Sequence, residues 1–391
     1  MKRLYLFNPD TDLASANNNE NYMPPQSSRR LGEDLAMLPI WYGEAGSSVL
    51  AKSHPNLCFL QEMQTLFDLP FSLVTYSELG TVSGLELMPW GWNTALHKNM
   101  LNLGLVEESL ISNERIQELR DLSHRQTSVD LLSRLPKVSP FCGESYIVST
   151  VAELEGLGLS SFLLKAPLSG SGKGLKWCSS GLNDPAINWF ERVVQQQGSV
   201  VIEPIYEKAQ DLAFEFFIHS DTEIEWLGYS LFSTTTSGAY TGNVLDSDSR
   251  IQEFIENKYG LKGVLQETVN LLSKELLLQL GSSYRGPLGV DAIVCSLSGG
   301  ADYRLHPCIE VNLRMNMGIV SHRLFNRYVN LEKSGSFRVD YHKKQGFALD
   351  KHKELSQTYP LIVKDGRVDS GYLSLAPVTN TTQYHCWILI E

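Results

Sequence analysis

The chain has 391 residues, which is long for a single hydrophobic core and predicts two or three packed subdomains. Hydrophobic residues make up 42% of it and charged residues 20%, and the net charge of −11 disfavours nucleic acid or an anionic membrane as the main partner. The six cysteines include no CxxC pair, which favours reduced thiols, and no apolar run is long enough for a transmembrane helix or a signal peptide. These features predict a cytoplasmic globular protein with neither nucleic acid nor a membrane as its main partner.

The first region, residues 1–118, reads as a small α/β domain with a mostly parallel sheet. Asn8-Pro9-Asp10 ends its first strand, and a loop in that position often lies at a ligand crevice. Asp10 and Asp12 are therefore substrate-site candidates, with a solvated loop as the alternative. The predicted elements are strands at 3–7, 57–60 and 72–75 and helices at 29–38 and 94–103.

Two tryptophans surround a glycine in the segment Met88-Pro-Trp-Gly-Trp-Asn93. Asn93 suits the N-cap of the helix that follows, because its side chain can accept from a free backbone N–H. Trp90, Trp92 and Asn93 either line a cleft or bury a domain junction. Further along the chain, the substrate-pocket candidates are Asn316, His322 and Arg323.

A charged helical stretch covers residues 107–135 and contains the segment Ser123-His124-Arg125. The leucines that follow give an amphipathic pattern, which places Arg125 near a helix start. A cation there is unfavourable with the helix dipole, so Arg125 is predicted to meet an anion, with surface placement as the alternative.

A glycine-rich loop follows an apolar strand at residues 161–165. The strand delivers Lys165, and the loop encloses Lys173 between glycines at 170, 172 and 174. The spacing matches neither a Walker A loop nor GxGxxG. Glycines let backbone N–H groups approach an anion, so the loop is predicted to cover phosphates, with a flexible turn as the alternative.

The segment VVIEPIY at residues 200–206 reads as a strand that ends in a carboxylate and a proline. Pro204 lacks an N–H but keeps a C=O that can accept from an adenine amino group, and Asp211 can accept from ribose hydroxyls. Two helices are predicted over residues 249–281, the second strongly apolar and backing the sheet that follows.

The segment LGVDAIVCSLSGGADYRLHPCIEVNLRMNMG, residues 288–318, reads as two strands joined by a turn. Alternation places Glu310, Asn312 and Arg314 on one face of the second strand, and Asp291 on the neighbouring strand can point the same way. Two carboxylates and an amide oxygen suit Mg²⁺, and an arginine beside them suits phosphate. The alternative is a hairpin with a solvated polar face.

These motifs, in this order, resemble the ATP-grasp superfamily of carboxylate–amine and carboxylate–thiol ligases over roughly residues 120–320. GVDAIV followed by IEVNLRMNMG is similar to the metal-site strands of D-alanine–D-alanine ligase and biotin carboxylase. FLLKAPLSGSGKG looks like the lysine strand and glycine loop of the family, which usually has Lys-Pro where this chain has Lys165-Ala-Pro167. VVIEPIY resembles the adenine hinge.

The resemblance implies a role for each matching residue. Asp291, Glu310 and Asn312 would bind two Mg²⁺ ions, with Glu310 bridging them. Arg314 would be catalytic, stabilising the transferring phosphoryl group or an acyl-phosphate, and Lys165 would contact the nucleotide phosphates. The other nucleotide-binding positions are Arg125, which replaces the first lysine of the family; Gly170, Ser171, Gly172 and Lys173 in the loop; Glu203, Pro204 and Tyr206 at the hinge; and Asp211 at the ribose position.

The resemblance also implies an α/β fold, α+β in the grasp subdomains, with an N-terminal Rossmann-like domain at 1–118, a small subdomain at 119–203 and a large one at 204–391. It implies a ligase that joins a small carboxylate to an amine or thiol, converts ATP to ADP and phosphate, and uses Mg²⁺, with Mn²⁺ as an alternative ion. By analogy, the chain would form a homodimer. Two alternatives stand beside this: an ATP-grasp phosphotransferase and a nucleotide-binding module without catalysis.

Overall fold

The structure is a computed structural model that describes residues 2–170, 174–235, 238–297, 300 and 302–391. By its internal contacts the chain divides into two compact units. The predicted division at 118/119 and 203/204 is not tested by this grouping and stays a prediction. Unit 1 comprises Met1–Leu119, Tyr240–Ser247 and Met315–Glu391, and unit 2 comprises Arg120–Ala239 and Asp248–Arg314.

The strands, in chain order, are β1 (Lys2–Leu6), β2 (Ser48–Leu50), β3 (Ser72–Val74), β4 (Leu85–Pro89), β5 (Tyr146–Val148), β6 (Phe162–Lys165), β7 (Leu175–Cys178), β8 (Val200–Pro204), β9 (Glu207–Ile218), β10 (Ile224–Thr234), β11 (Tyr240–Leu245), β12 (Gly286–Leu297), β13 (Asp302–Asn312), β14 (Gly335–Tyr341), β15 (Ile362–Lys364), β16 (Arg367–Ser374) and β17 (Tyr384–Ile390).

The α-helices are α1 (Thr11–Asn17), α2 (Gln26–Asp34), α3 (Pro39–Tyr42), α4 (Asn56–Leu66), α5 (Thr94–Asn102), α6 (Asn113–Leu122), α7 (Gln126–Arg134), α8 (Val151–Gly156), α9 (Asp184–Gln197), α10 (Asp248–Tyr259), α11 (Val264–Leu280), α12 (Met317–Tyr328) and α13 (Phe347–Thr358), with one 3-10 turn at Glu107–Ser109. Among the described residues, none of these helices has both the length and the apolar character needed to cross a membrane.

Unit 1 begins with a parallel sheet in the order β3-β2-β1-β4, as predicted for an α/β domain. The strand predicted at 57–60 is wrong, because these residues lie in α4. The short apolar run is ambiguous between strand and helix, and the burial of Phe59, Leu60 and Met63 follows the helical period. The second strand is instead β2. Unit 1 also contains five antiparallel strands in the order β11-β14-β17-β16-β15.

Two helix predictions in the first part of the chain need correction. The helix predicted at 29–38 spans Gln26–Asp34, and a separate short helix starts at Pro39, where the missing proline N–H is harmless at the first helical position. The continuous helix predicted at 107–135 is divided into a 3-10 turn, α6 and α7, and Arg125 is the residue that precedes α7. The helix at 94–103 is confirmed as α5, with Asn93 accepting from the backbone N–H of Leu96 at 2.9 Å.

Within its described residues, unit 2 contains two antiparallel sheets. The smaller has the order β5-β8-β6-β7, and buried side chains of α8 and α9 pack on it, including Leu154 and Phe190. The larger runs β13-β12-β9-β10. The apolar helix α11 packs on β10 and β9, as predicted from its leucines, and α7 lies against the edge strand β13, where Ser128 Oγ accepts from the backbone N–H of Val311 at 2.9 Å.

Candidate active site

The predicted metal-site residues lie together on one face of the larger sheet of unit 2. Asp291 of β12 stands directly opposite Glu310 of β13, and Asn312 stands opposite Gly289. Directly opposed residues in an antiparallel pair project to the same face. The register therefore brings two carboxylates and an amide together, as the alternation in the sequence predicted.

Hydrogen bonds join this group to two arginines. Asn312 Nδ2 donates to Asp291 Oδ2 at 3.1 Å, and Arg314 Nη2 donates to Asn312 Oδ1 at 3.2 Å. On the other side, Arg125 Nη2 donates to Glu310 Oε1 at 2.7 Å, a charge-assisted bond. The acidic centre is thus flanked by cations at both ends.

The electrostatics of this centre favour the arrival of a cation. Burial, followed by the nearby Glu310 carboxylate, raises the pKa of Asp291 to about 7, although Arg314 acts in the opposite direction. Two close carboxylates repel each other, and a bound divalent ion removes that penalty. Two carboxylates with an amide oxygen form the hard-oxygen set that Mg²⁺ prefers, so the residues present fit the ion.

Glu215 is a further acidic residue on this face that the sequence analysis missed. Glu215 lies on β9 opposite Gly289 of β12, and Gly289 in turn stands opposite Asn312 of β13. Glu215 is 1% exposed. The register gives Asp211, Ala213 and Glu215 the same face of β9. A lone glutamate in the apolar run LAFEFFI was the signal that could have found it, since an acid is rarely buried in a strand without a partner.

Arg125 connects the acidic centre to the loop that follows β6. Its side chain is buried, and Nη1 donates to the backbone oxygen of Ala166 and to Ser169 Oγ, the latter at 2.6 Å. Its backbone N–H donates to Pro167 O at 3.0 Å. Arg125 therefore sits at the start of α7 as predicted, and the anion that it meets in the structure is Glu310.

Lys165 and Glu203 form a buried ion pair between β6 and β8. The Lys165 Nζ to Glu203 Oε2 distance is 2.5 Å, and the two residues are 4% and 5% exposed. His306 lies nearby, and burial together with the Lys165 charge lowers its pKa to about 3, so the ring is neutral. Burying two charges is costly, so such a pair is weak evidence for a purely stabilising role. The pair is therefore a candidate for binding a charged group of a ligand.

The glycine loop closes the hairpin between β6 and β7. Ala166 N–H donates to Gly174 O at 2.8 Å, and Gly174 has a φ of +72°. A Cβ on Gly174 would lie 2.7 Å from Ser169 Cβ, so this position requires glycine. Gly170 is buried at the base of the loop. Ser171, Gly172 and Lys173, which were predicted to contact phosphate, lie outside the described residues.

The predicted hinge residues lie at and just after the end of β8, with Glu203 and Pro204 in the strand and Tyr206 beyond it. Pro204 is its last residue, and the ring of the half-buried Tyr206 lies edge-on to His306 with centroids 5.3 Å apart. Asp211, predicted at the ribose position, accepts from Lys208 Nζ at 2.6 Å and from Thr234 Oγ1 at 3.0 Å. Hinge, loop and acidic centre all belong to unit 2.

A crevice of about 680 Å³ lies in unit 1 at the carboxyl ends of its parallel strands. Such positions are where open parallel sheets bind ligands. Asp10, one of the two acidic substrate-site candidates, is among the lining residues of the crevice, and burial raises the pKa of its carboxyl. The lining includes residues that follow each of the four strands: Asn8 and Asp10, Lys52, Tyr76, and Asn93.

The other substrate-pocket candidates have structural contacts within unit 1. Trp90 is buried, with its ring edge-on to Phe7 at 4.9 Å, and Trp92 packs against the apolar cluster of the parallel sheet. Asn316 caps α12 by accepting from Ile319 N–H at 2.9 Å, and Arg323 donates to Tyr42 O at 2.9 Å. A second cavity, of about 500 Å³ beside α7 in unit 2, is lined by none of the predicted site residues.

No protein-family model matches the chain, and no curated protein matches its sequence. Solved structures do match. The biotin carboxylase–β,γ-ATP complex from Campylobacter jejuni aligns with a TM-score of 0.54 at 10% identity, covering 100% of this chain and 87% of that one. N5-carboxyaminoimidazole ribonucleotide synthetase from Thermus thermophilus gives 0.50 at 12%, covering 100% and 94%. N5-carboxyaminoimidazole synthetase from Staphylococcus aureus, complexed with ADP, gives 0.50 at 11%, covering 100% and 93%.

These similarities extend over the whole chain, and biotin carboxylase is one of the two enzymes that the strand motifs resemble. At identities of 10% to 12% they establish the fold. The α/β ATP-grasp fold predicted from the sequence is confirmed.

Proposed function

We propose that this chain, which has the ATP-grasp fold, is an ATP- and Mg²⁺-dependent ligase that joins a carboxylate to an amine or thiol. The observation that carries the proposal is the pairing of Asp291 and Glu310 on one sheet face, flanked by Arg125 and Arg314. Paired carboxylates need a cation, and arginines flanking them need further negative charge, so the set suits a metal–polyphosphate ligand.

The chain's own side chains would hold the nucleotide. Lys165 and Arg125 would bind phosphate oxygens, and each would exchange its present carboxylate partner, Glu203 or Glu310, for the ligand. The backbone of the glycine loop, Gly170 to Lys173, would cover the phosphates and keep water from the reacting group. Glu203, Pro204 and Tyr206 would bind the adenine, and Asp211 the ribose.

Asp291, Glu310 and Asn312 would hold Mg²⁺, or Mn²⁺ in its place, and the ion when bound offsets negative charge on the β- and γ-phosphate oxygens. In the reaction, a substrate carboxylate oxygen attacks the γ-phosphorus and the bond to the ADP oxygen breaks. Arg314, held beside Asn312, would stabilise the transferring group. The amine or thiol then attacks the acyl carbon of the acyl-phosphate, and inorganic phosphate leaves.

Trapping the acyl-phosphate with hydroxylamine tests this proposal without knowledge of the amine. The full chain is incubated with ATP, Mg²⁺, hydroxylamine and a panel of small carboxylates, and hydroxamate and ADP are measured. We expect equimolar hydroxamate and ADP with at least one carboxylate, and a loss of about 100-fold or more in Glu310→Gln, because removing transition-state charge stabilisation costs that much.

The outcomes separate the alternatives. ADP formed with a stable phosphorylated product, and no hydroxamate or free phosphate, would identify a phosphotransferase. Saturable nucleotide binding without turnover on any carboxylate, amine or hydroxyl compound would favour a binding module. An active Glu310→Gln enzyme would contradict the assignment of the metal site.

The crevice of unit 1 is the first place to look for a substrate. Asn8, Asp10 and Asn93 are among the polar residues that line this cavity of about 680 Å³. That volume and a few convergent polar groups suit a small polar molecule. The homodimer and the cytoplasmic location stay predictions; light scattering of the purified chain tests the first.

A further inference from the structure

Three side chains from two neighbouring strands converge in the antiparallel sheet of unit 1. Asp340 of β14 stands directly opposite His385 of β17, and His342 follows Asp340 by two residues, which is the spacing for one face. The backbone N–H of His342 donates to Gln383 O at 2.7 Å and so continues the pairing. One potential ligand atom from each of the three side chains lies within 4.8 Å of the other two.

Two ring nitrogens in this cluster are buried without a partner. His385 is 1% exposed, and its Nδ1 has no hydrogen-bond partner among the described residues. His342 Nε2 is likewise buried and has none within the described part of the chain. Leaving a buried nitrogen unsatisfied is energetically costly, so a group that binds both nitrogens would offset that cost.

The surrounding hydrogen bonds orient the cluster. His385 Nε2 lies 2.7 Å from Tyr372 Oη, and Tyr372 Oη lies 2.7 Å from His352 Nδ1. If His385 Nε2–H donates to Tyr372, and Tyr372 O–H donates to His352, the lone pair of His385 Nδ1 points into the cluster. Trp387, on β17 with His385, donates from Nε1 across to Asp340 Oδ2 of β14 at 2.7 Å, so Asp340 Oδ1 is the oxygen offered to a ligand.

We propose that Asp340, His342 and His385 bind one divalent transition-metal ion, with Zn²⁺ as the first choice. Two imidazole nitrogens and one carboxylate oxygen are donors that suit Zn²⁺ and its neighbours, whereas Mg²⁺ prefers oxygen alone. Three protein ligands would leave a fourth coordination position open for water. The ion would cross-link β14 and β17, and this site shares no residue with the proposed nucleotide site.

Co²⁺ tests the proposal, because its visible absorption reports nitrogen ligands and low coordination number. The full chain is freed of metal with a chelator and titrated with Co²⁺ in excess Mg²⁺, which occupies the oxygen-rich site at Asp291 and Glu310. We expect one equivalent to bind with a ligand-field spectrum and to be displaced by Zn²⁺. His342→Gln and Asp340→Asn should each weaken binding by at least about 10- to 100-fold.

Two control variants show whether a loss of Co²⁺ binding is specific to the proposed ligands. His322→Gln makes the same change on α12 of unit 1, and Glu310→Gln removes a ligand of the Mg²⁺ site; both should bind Co²⁺ as the parent chain does. Circular dichroism checks that every variant is folded, and the buried His385 is left unchanged for that reason. Absence of saturable Co²⁺ binding in excess Mg²⁺, or equal binding by folded His342→Gln and Asp340→Asn, would overturn the proposal.

Discussion

The carboxylate of Asp291 lies where a negative charge is unfavourable in the metal-free protein. Burial and the facing Glu310 raise its pKa to about 7, so the ionised form destabilises the folded state relative to the unfolded chain. A site that binds a cation needs this carboxylate. Its charge lowers the stability of the metal-free protein, and binding of the ion restores that stability.

Replacing Asp291 with asparagine should therefore stabilise the protein in the absence of metal. At pH 8 in a chelator, we expect the free energy of unfolding to rise by on the order of 2 kcal/mol, because asparagine removes the charge that burial and the facing Glu310 disfavour. Calorimetry with a non-hydrolysable ATP analogue and Mg²⁺ should show binding at least about 10-fold weaker, as a lost metal ligand implies. If the variant were less stable than the parent, the ionised Asp291 carboxylate would not be destabilising the folded protein.

Lys165 and Glu203 illustrate the opposite case, in which two buried charges depend on each other. Removing one partner of such a pair leaves an uncompensated charge in a medium of low polarity, whereas removing both does not. The stability of the pair and its use in binding can therefore be measured separately.

Lys165→Met should lower the free energy of unfolding by about 3–5 kcal/mol, because Glu203 stays buried and unpaired. The double variant Lys165→Met/Glu203→Gln should regain most of that loss in urea unfolding. Lys176→Met, on β7 of the same hairpin, is the control and should change little. If the double variant also regained the parent's affinity for the ATP analogue, Lys165 would have no role in the nucleotide site.

At the scale of elements, the hairpin of β6 and β7 carries the glycine loop and depends on the conformation of Gly174. Ala166 N–H donates to Gly174 O, and the left-handed backbone there lets the strand β7 begin at once. The base is fixed further by Gln197 of α9, which exchanges hydrogen bonds with the backbone of Leu168 at 2.8 and 3.2 Å.

Gly174→Ala should destabilise the protein more than Gly158→Ala does. Both glycines have positive φ, +72° and +63°, so each alanine costs about 1 kcal/mol of backbone strain. Only at Gly174 does the new Cβ meet another atom, Ser169 Cβ at 2.7 Å, whereas nothing lies within 4 Å at Gly158. Urea unfolding should show an additional loss of about 1–3 kcal/mol for Gly174→Ala; equal losses would contradict the role assigned to the loop geometry.

On the scale of the whole molecule, the nucleotide should stabilise the folded chain by linkage. With Mg²⁺ and a non-hydrolysable ATP analogue at 100 times its dissociation constant, we expect the free energy of unfolding to rise by about 2.7 kcal/mol. Thermal unfolding measures the shift. Mg²⁺ alone should give a smaller shift. In Asp291→Asn, where binding is at least about 10-fold weaker, the same nucleotide concentration should give a shift of about 1.4 kcal/mol or less. If the shift in unfolding free energy were the same with and without nucleotide, Mg²⁺ alone would account for the stabilisation.

The sequence by itself determined the parts of this protein that depend on neighbours along the chain. Alternation in residues 309–314 placed Glu310 and Asn312 on one face of a strand, and the glycine spacing after Lys165 marked the loop. Side-chain direction in a strand repeats every two residues, and a glycine's allowed conformations are its own, so such features can be predicted locally. The order of these motifs was enough to predict the ATP-grasp fold.

Only the tertiary structure decided which distant residues meet. Strand register set Glu215 on the face of Asp291, and the pairing of β14 with β17 brought His385 opposite Asp340. The contact of Arg125 with Glu310 depends on α7 packing against β13. Local pattern also failed at residues 57–60, where a short apolar run fits strand and helix equally and burial within unit 1 selected the helix. Pairing between segments far apart in the chain depends on the packing of whole elements, which no single stretch of sequence encodes.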